Sequence, residues 1–272
     1  MKGITRFLPD QILLPDGKLH TGISLAINQH GVVVGTAPDN TEDTYIQLDG
    51  ILVPGFINGH CHLELSGLKN VISQKTGLSG FIREIVAARP AHDVDADSFI
   101  NWDKEMWRSG IQAVGDICNS TDTIDAKQKS DIRYHSFIEL FDLSTDRTES
   151  AIENGIRLSE QFDNCRLSNS YAPHAPYTVS SQLQSRINEM NQGKVSSMHF
   201  LEDASEREFL DHQNGELFDT MKELGADYKQ FRDVGSEGIA SLDNFWAGSG
   251  NRILVHNTYI TQKDIDKLAQ LT

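Results

Sequence analysis

Six times after residue 53, a strand-length apolar run is followed by a helix-length stretch. "PGFINGHCH" leads into "LSGFIREIVAAR" and "DADSFINWDKEMWRSG", and "IQAVGDIC" comes next. "DIRYHSFIELF", "RLSNSYAPHAPY", "KVSSMHFLED" and "NRILVHNTY" are each followed by a stretch with apolar residues three and four apart, as in Leu183, Ile187 and Met190. Ser180 and Thr261 stand where helix N-caps are expected. Repeated strand–helix units imply a parallel sheet with helices packed outside it. Two architectures satisfy this, an open doubly wound sheet and a (β/α)8 barrel. No G-x-G-x-x-G or P-loop is present to favour the open nucleotide-binding sheet. Polar clusters fall at the C-terminal ends of separate strands, where barrel active sites are built, and this selects the barrel.

Residues 1–53 have a different pattern. "QILLPDG", "GISLAINQHGVVVGTA" and "TYIQLDGILVPG" are short apolar runs broken by Gly, Pro, Asn and Asp, so a small all-β element is expected there, with turns at "PDG" and "QHG". No stretch reaches the ~20 apolar residues of a membrane span. The first residues lack the apolar core and cleavage site of a signal peptide, so a cytoplasmic location is expected. The 39 acidic residues exceed the 24 basic ones, and a net charge of −15 with no Lys/Arg-rich run argues against nucleic acid as a partner. Cys61, Cys118 and Cys165 are odd in number, widely spaced and outside any C-x-x-C, which disfavours disulfides and a cysteine-built zinc site.

The histidines carry the chemistry. Alternate residues of a strand share a face, so His60 and His62 point together and Cys61 points away as a small apolar residue. Two imidazoles at a strand tip make half of a tetrahedral metal site; the alternative is two solvated histidines near a turn. His199 ends "SSMHF", and Glu202 lies three residues on, so a ligand and a proton carrier could serve the same water. His256 ends "RILVH", and His174 lies between two prolines in "SYAPHAPYT". H-x-x-E alone is more often a surface accident, a lone strand-end His256 is more often structural, and a structural turn is the alternative for His174. Together they recur in one register of the βα series.

At this point "PGFINGHCHLELS", "APHAPYT", "HFLED" and "LVHNTYIT" resemble the amidohydrolase superfamily, in particular its cytosine deaminase, chlorohydrolase and S-adenosylhomocysteine deaminase branch. The resemblance implies a metal-dependent barrel over residues 54–272 and the N-terminal part of a small β-sandwich over residues 1–53. It implies His60, His62 and His199 as metal ligands and Glu202 as proton shuttle. His256 would orient the attacking water, and His174 would contact the substrate. Some relatives bridge two metals with a modified lysine after the fourth strand. "SYAPHAPYT" has no lysine, so one divalent ion is expected, zinc on ligand type, with iron or manganese as alternatives. The partner expected is a small heterocyclic substrate, and relatives are often homo-oligomers.

The resemblance also implies a seventh and eighth βα unit, with a metal-binding aspartate on the last strand. The sequence ends at Thr272, after the sixth unit, so a truncated barrel is expected. The expected reaction is deamination of an aminated heterocycle with release of ammonia. Hydrolysis of a cyclic amide or a C–Cl bond at the same site is the alternative, and a non-catalytic metal-binding descendant is a second. P-C-x-x-C and H-E-x-x-H are both absent, which excludes the other zinc deaminases and disfavours a zinc peptidase. Phe81, Phe218 and Phe231 could face a flat substrate or belong to the core. Arg83 and Glu84 could contact substrate or lie on a solvated helix face.

Overall fold

The computed structural model describes residues 3–40, 43–88, 96–228 and 242–271. The chain divides into two compact units, Met1–Phe56 and Ile57–Thr272. Phe231 lies outside the described residues. No described helix is long and apolar enough to cross a membrane.

The first unit is one five-stranded sheet. Its strands are β1 (Ile4–Leu13), β2 (Leu19–His20), β3 (Ile23–Asn28), β4 (Val33–Pro38) and β5 (Ile46–Leu52). The order is β2-β1-β3-β4, with antiparallel neighbours, and β5 pairs with β1 in parallel. The two expected turns are present. Gly17 closes "PDG" at φ 76° and Gly31 closes "QHG" at φ 75°, a left-handed conformation that glycine adopts without a Cβ clash.

Among the described residues the second unit contains six strands, each followed by at least one helix: β6 (Phe56–Cys61), β7 (Ile111–Cys118), β8 (Arg133–Leu140), β9 (Ser168–Pro173), β10 (Ser196–Phe200) and β11 (Arg252–His256). A 3-10 helix (Leu63–Leu68), α1 (Gly77–Ala88) and α2 (Ala96–Arg108) follow β6. Next come α3 (Ile124–Lys129), α4 (Thr148–Asn164) and α5 (Ser181–Asn191), after β7, β8 and β9 respectively. β10 is followed by α6 (Ala204–His212), α7 (Glu216–Glu223) and α8 (Asp243–Trp246), and β11 by α9 (Gln262–Leu271). Both expected caps form. Ser180 accepts from the Leu183 N–H at 3.1 Å, and Thr261 exchanges bonds with Asp264.

Strands β6-β7-β8-β9 form one sheet and β10-β11 a parallel pair. The β7–β8 and β8–β9 ladders are parallel. Side chains join the two sheets: Ser170 Oγ donates to the Val195 carbonyl at 2.6 Å, and Ser196 Oγ to the Tyr171 carbonyl at 3.0 Å. At Gly115 in β7 a Cβ would lie 2.7 Å from the Gly59 carbonyl oxygen of β6, so only glycine permits this approach.

Period-2 alternation sorts the strand side chains into two layers. Ile138 packs outward with Leu158 and Phe162 of α4. Its neighbour Phe137 packs inward with Ile117 of β7, Ala172 of β9 and Ile253 of β11. One inner layer therefore draws on strands from both sheets. Phe218, read from sequence as either core or pocket, belongs to the core around Phe209 and Tyr228. Arg83 pairs across the surface with Glu216 and Glu223.

Candidate metal centre

The side chains of interest emerge where the strands end. His60 is the penultimate residue of β6, and His62 follows that strand directly. Their Nε2 atoms are 3.1 Å apart, so both rings lie on the same side, as alternation requires. Cys61 packs the other way, beside Leu63, Phe99 and Val114. Burial, with Asp116 nearby, pushes its thiol up to about 12, so it is not a thiolate at neutral pH.

In the β10–β11 register His199 lies opposite Val255 and His256 opposite Phe200, and Nδ1 of His199 comes 3.1 Å from Nε2 of His256. The His60 ring lies 4.7 Å from that of His199 and 5.4 Å from that of His256, centroid to centroid. One nitrogen each from His60, His199 and His256 falls within 4.8 Å of the others. Six flat strands spaced ~4.8 Å apart would separate the first and last by ~24 Å. Rings from β6 and β11 lie within 5.4 Å, so the array is curled and its strand ends converge.

His256 has φ 74° and the next residue, Asn257, φ 53°. Two non-glycine residues in the left-handed region mark a turn held by its surroundings. Asn257 N–H donates to the Phe200 carbonyl at 2.9 Å and its side-chain amide to the Leu254 carbonyl at 2.8 Å.

Glu202 follows β10 and brings Oε2 to 3.5 Å from Nε2 of His256. Leu201 before it has φ 51°, and the buried Glu206 accepts the N–H groups of Leu201 and Glu202 at 2.9 and 2.8 Å. His174 lies beyond β9 with its ring 5.0 Å from that of His199. Thr178 Oγ1 donates to the Ala175 carbonyl at 3.1 Å, so at 2.7 Å it accepts from Nδ1–H of His174. The structure thus gathers all six residues singled out in the sequence. The three-nitrogen cluster contains His256, while His62 stands beside it, against His60.

Glu139 was not anticipated. It sits near the end of β8 on the inward face shared with Phe137, and its Oε1 is 3.4 Å from Nε2 of His199. Its position in "SFIELF", two residues after an inward phenylalanine, was the only signal available.

The electrostatics suit a cation. Burial, then the neighbouring His199, His62 and His256, drives His60 down to about 3, which keeps the lone pair of one ring nitrogen available at neutral pH. Burial likewise lowers His256. Burial opposes a charge on His199, but the adjacent Glu139 outweighs it and holds His199 above its ordinary value. Burial would raise Glu139, yet His174 and His199 beside it hold its carboxyl well below the usual range. Converging imidazoles with nitrogens this close, and a buried His60 Nδ1 with no hydrogen-bond partner among the described residues, fit a divalent metal ion.

No family model matches the chain. An aminodeoxyfutalosine deaminase from Nitratiruptor is 26% identical over 230 residues, covering 81% of this chain and 55% of that protein. A crystal structure of Helicobacter pylori aminofutalosine deaminase in complex with methylthio-coformycin superposes with a TM-score of 0.75 at 18% identity, covering 98% of this chain and 67% of that one. An adenosine deaminase structure from Xanthomonas campestris with bound zinc gives 0.62 at 19% identity, covering 98% of this chain and 60% of that one. The chain spans about half the length of the curated relatives it matches.

Proposed function

We propose that this chain is a member of the amidohydrolase superfamily that carries out metal-dependent hydrolytic deamination of an aminated heterocycle, with ammonia released. The observation that carries this reading is the convergence of His60, His199 and His256 from three strand ends, with His62 and Glu202 at the margin. We assign His60, His62 and His199 as metal ligands, His256 and Glu202 as catalytic residues, and His174 as a substrate contact. Zinc suits the imidazole donors, and iron and manganese are the alternatives. Residues 54–272 are read as a (β/α) barrel and residues 1–53 as part of a β-sandwich. Support for the barrel comes from the curled strand array and the inner layer of Ile117, Phe137, Ala172 and Ile253.

When bound, a divalent ion supplies the Lewis acidity that lowers the pKa of water towards neutrality. The remaining work falls to side chains. Glu202 accepts the proton that leaves the attacking water and delivers it to the ring nitrogen; a further transfer through Glu202 lets the amine depart as ammonia. Water thus adds its oxygen to the ring carbon, the C–N bond breaks, and a carbonyl replaces the amine. His256, 3.5 Å from Glu202, donates to the attacking oxygen and orients it. His174, its Nδ1 committed to Thr178, is fixed in rotation and presents a rigid edge to the heterocycle.

The names of the similar proteins point to aminated purine nucleosides as the substrate class. The test is a panel of these with aminated pyrimidines and pterins, assayed for ammonia with the zinc-loaded chain. Ammonia release from at least one, abolished by chelation, is expected. Ring-opened acid or chloride from suitable substrates, with no ammonia, would transfer the site to amide or C–Cl hydrolysis. Zinc uptake without any turnover would favour a metal-binding protein.

A further inference from the structure

We propose that Glu139 is a positioning residue for the metal centre: its carboxylate holds the proton on Nε2 of His199 and so leaves the Nδ1 lone pair facing the histidine cluster. The proposal rests on the reading of that cluster as a metal site. Its first support is placement. Alternation along β8 sends Ile138 outward and Glu139 inward, so the only carboxylate of this strand is delivered to the strand end behind His199.

The second support is an atom-by-atom match. Oε1 of Glu139 and Nε2 of His199 are both buried, and among the described residues neither has a hydrogen-bond partner. They face each other at 3.4 Å. Two orphaned polar atoms in a dry site are costly unless they serve one another, and a proton on Nε2 directed at the carboxylate satisfies both. The opposite ring nitrogen, Nδ1, lies 3.1 Å from Nε2 of His256 inside the cluster. A neutral imidazole carries one proton, so a proton held on Nε2 leaves Nδ1 as the donor atom for an ion.

The third support is that the carboxylate is itself held. Asn119, just beyond β7, donates its side-chain N–H to Oε2 of Glu139 at 2.9 Å. Glu139 therefore cannot rotate away from His199 without leaving that bond. One oxygen of its carboxylate also lies within 4.8 Å of a ring nitrogen of His174. Carboxylates that orient metal-binding histidines in this way typically change metal affinity 10–100-fold when removed.

Glu139→Gln is the informative variant. The Asn119 N–H still requires an acceptor, so the new amide oxygen faces Asn119 and the NH2 group faces His199. An NH2 group there favours a lone pair on Nε2 and moves the proton to Nδ1, the reverse of the native arrangement. Zinc affinity of the full chain, measured by competition with a chromophoric chelator, should fall 10–100-fold in E139Q. Nitrogen-15 shifts of the histidine rings in the metal-free wild type should show His199 protonated on Nε2, and E139Q should shift this towards Nδ1. A merely structural role would not move the tautomer.

Equal zinc affinity in the two proteins would overturn the proposal. So would a neutral His199 with its proton on Nδ1 and none on Nε2 in the wild type, a result that requires no variant to fold. Two zinc ions per wild-type chain and one in E139Q would also overturn it, by making Glu139 a ligand rather than a support. Failure of the wild type to bind zinc would instead refute the metal reading itself, while the tautomer of His199 would still report on Glu139.

Discussion

Glu206 offers a test of how the loop carrying Glu202 is held. Its side chain is fully buried and accepts the N–H groups of Leu201 and Glu202 at 2.9 and 2.8 Å. Burial raises its pKa from an ordinary 4.5 to about 7, even though those two backbone donors pull the other way. In the unfolded chain the group ionises near pH 4.5, so between about 4.5 and 7 the folded state binds more protons than the unfolded one. Stability from this group is therefore full below the lower value and declines as pH rises through the window. A gap of ~2.5 units at ~1.36 kcal/mol each gives a loss of ~3 kcal/mol by pH 8. Glu206→Gln removes the titration. It keeps one acceptor oxygen for two donors, a pH-independent cost of ~1–3 kcal/mol. Urea unfolding of both proteins from pH 4.5 to 8, with chelator present, isolates the effect, because other titrating groups cancel in the difference. The wild type should lose ~3 kcal/mol relative to the variant across the range. Parallel stability curves would refute the argument.

Three further outcomes follow from the geometry. Glu202→Gln should lower ammonia release ~10²–10⁴-fold while zinc content stays unchanged, because the side chain moves protons and lies outside the nitrogen cluster. Gly115→Ala places a Cβ 2.7 Å from the Gly59 carbonyl and 2.9 Å from Phe137, forcing β6 from β7; a loss of ~1–3 kcal/mol or more is expected in thermal melts. Lys127→Met strips the fully buried Asp116 of its ion pair at 2.7 Å, and ~3–5 kcal/mol should be lost in urea unfolding at neutral pH.

Much of the second unit could be read from the chain because its signals are local. Strand-length runs, the caps at Ser180 and Thr261, and the 3.6-residue spacing of Leu183 and Ile187 depend on neighbours within a few residues. The pairing of His60 with His62 needed only the period of a strand. Local signals could not assign Phe218, because the rings that enclose it belong to Phe209 and Tyr228 on other segments. Nor could they show that the ends of β6 and β11 meet, since curvature accumulates over the whole array and leaves no mark at any one position.

Glu139 marks the boundary between the two kinds of information. In "SFIELF" a carboxylate near the end of an apolar run looks like an ordinary exit to solvent. Its role is visible only once Asn119, twenty residues earlier, and His199, sixty residues later, close on its two oxygens. The alternation that places His60 and His62 on one side applies equally to β8 and directs Glu139 inward, but direction alone does not distinguish a ligand from a support. The distinction lies in which nitrogen of His199 faces which neighbour. Nδ1 meets His256 and Nε2 meets Glu139, so one ring joins the cluster on one side and a buried carboxylate on the other. A histidine oriented from behind holds its lone pair in place before any ion arrives, and so loses less orientational freedom on binding one. By this reasoning the affinity of the centre depends on β8 as well as on the strands that supply its ligands.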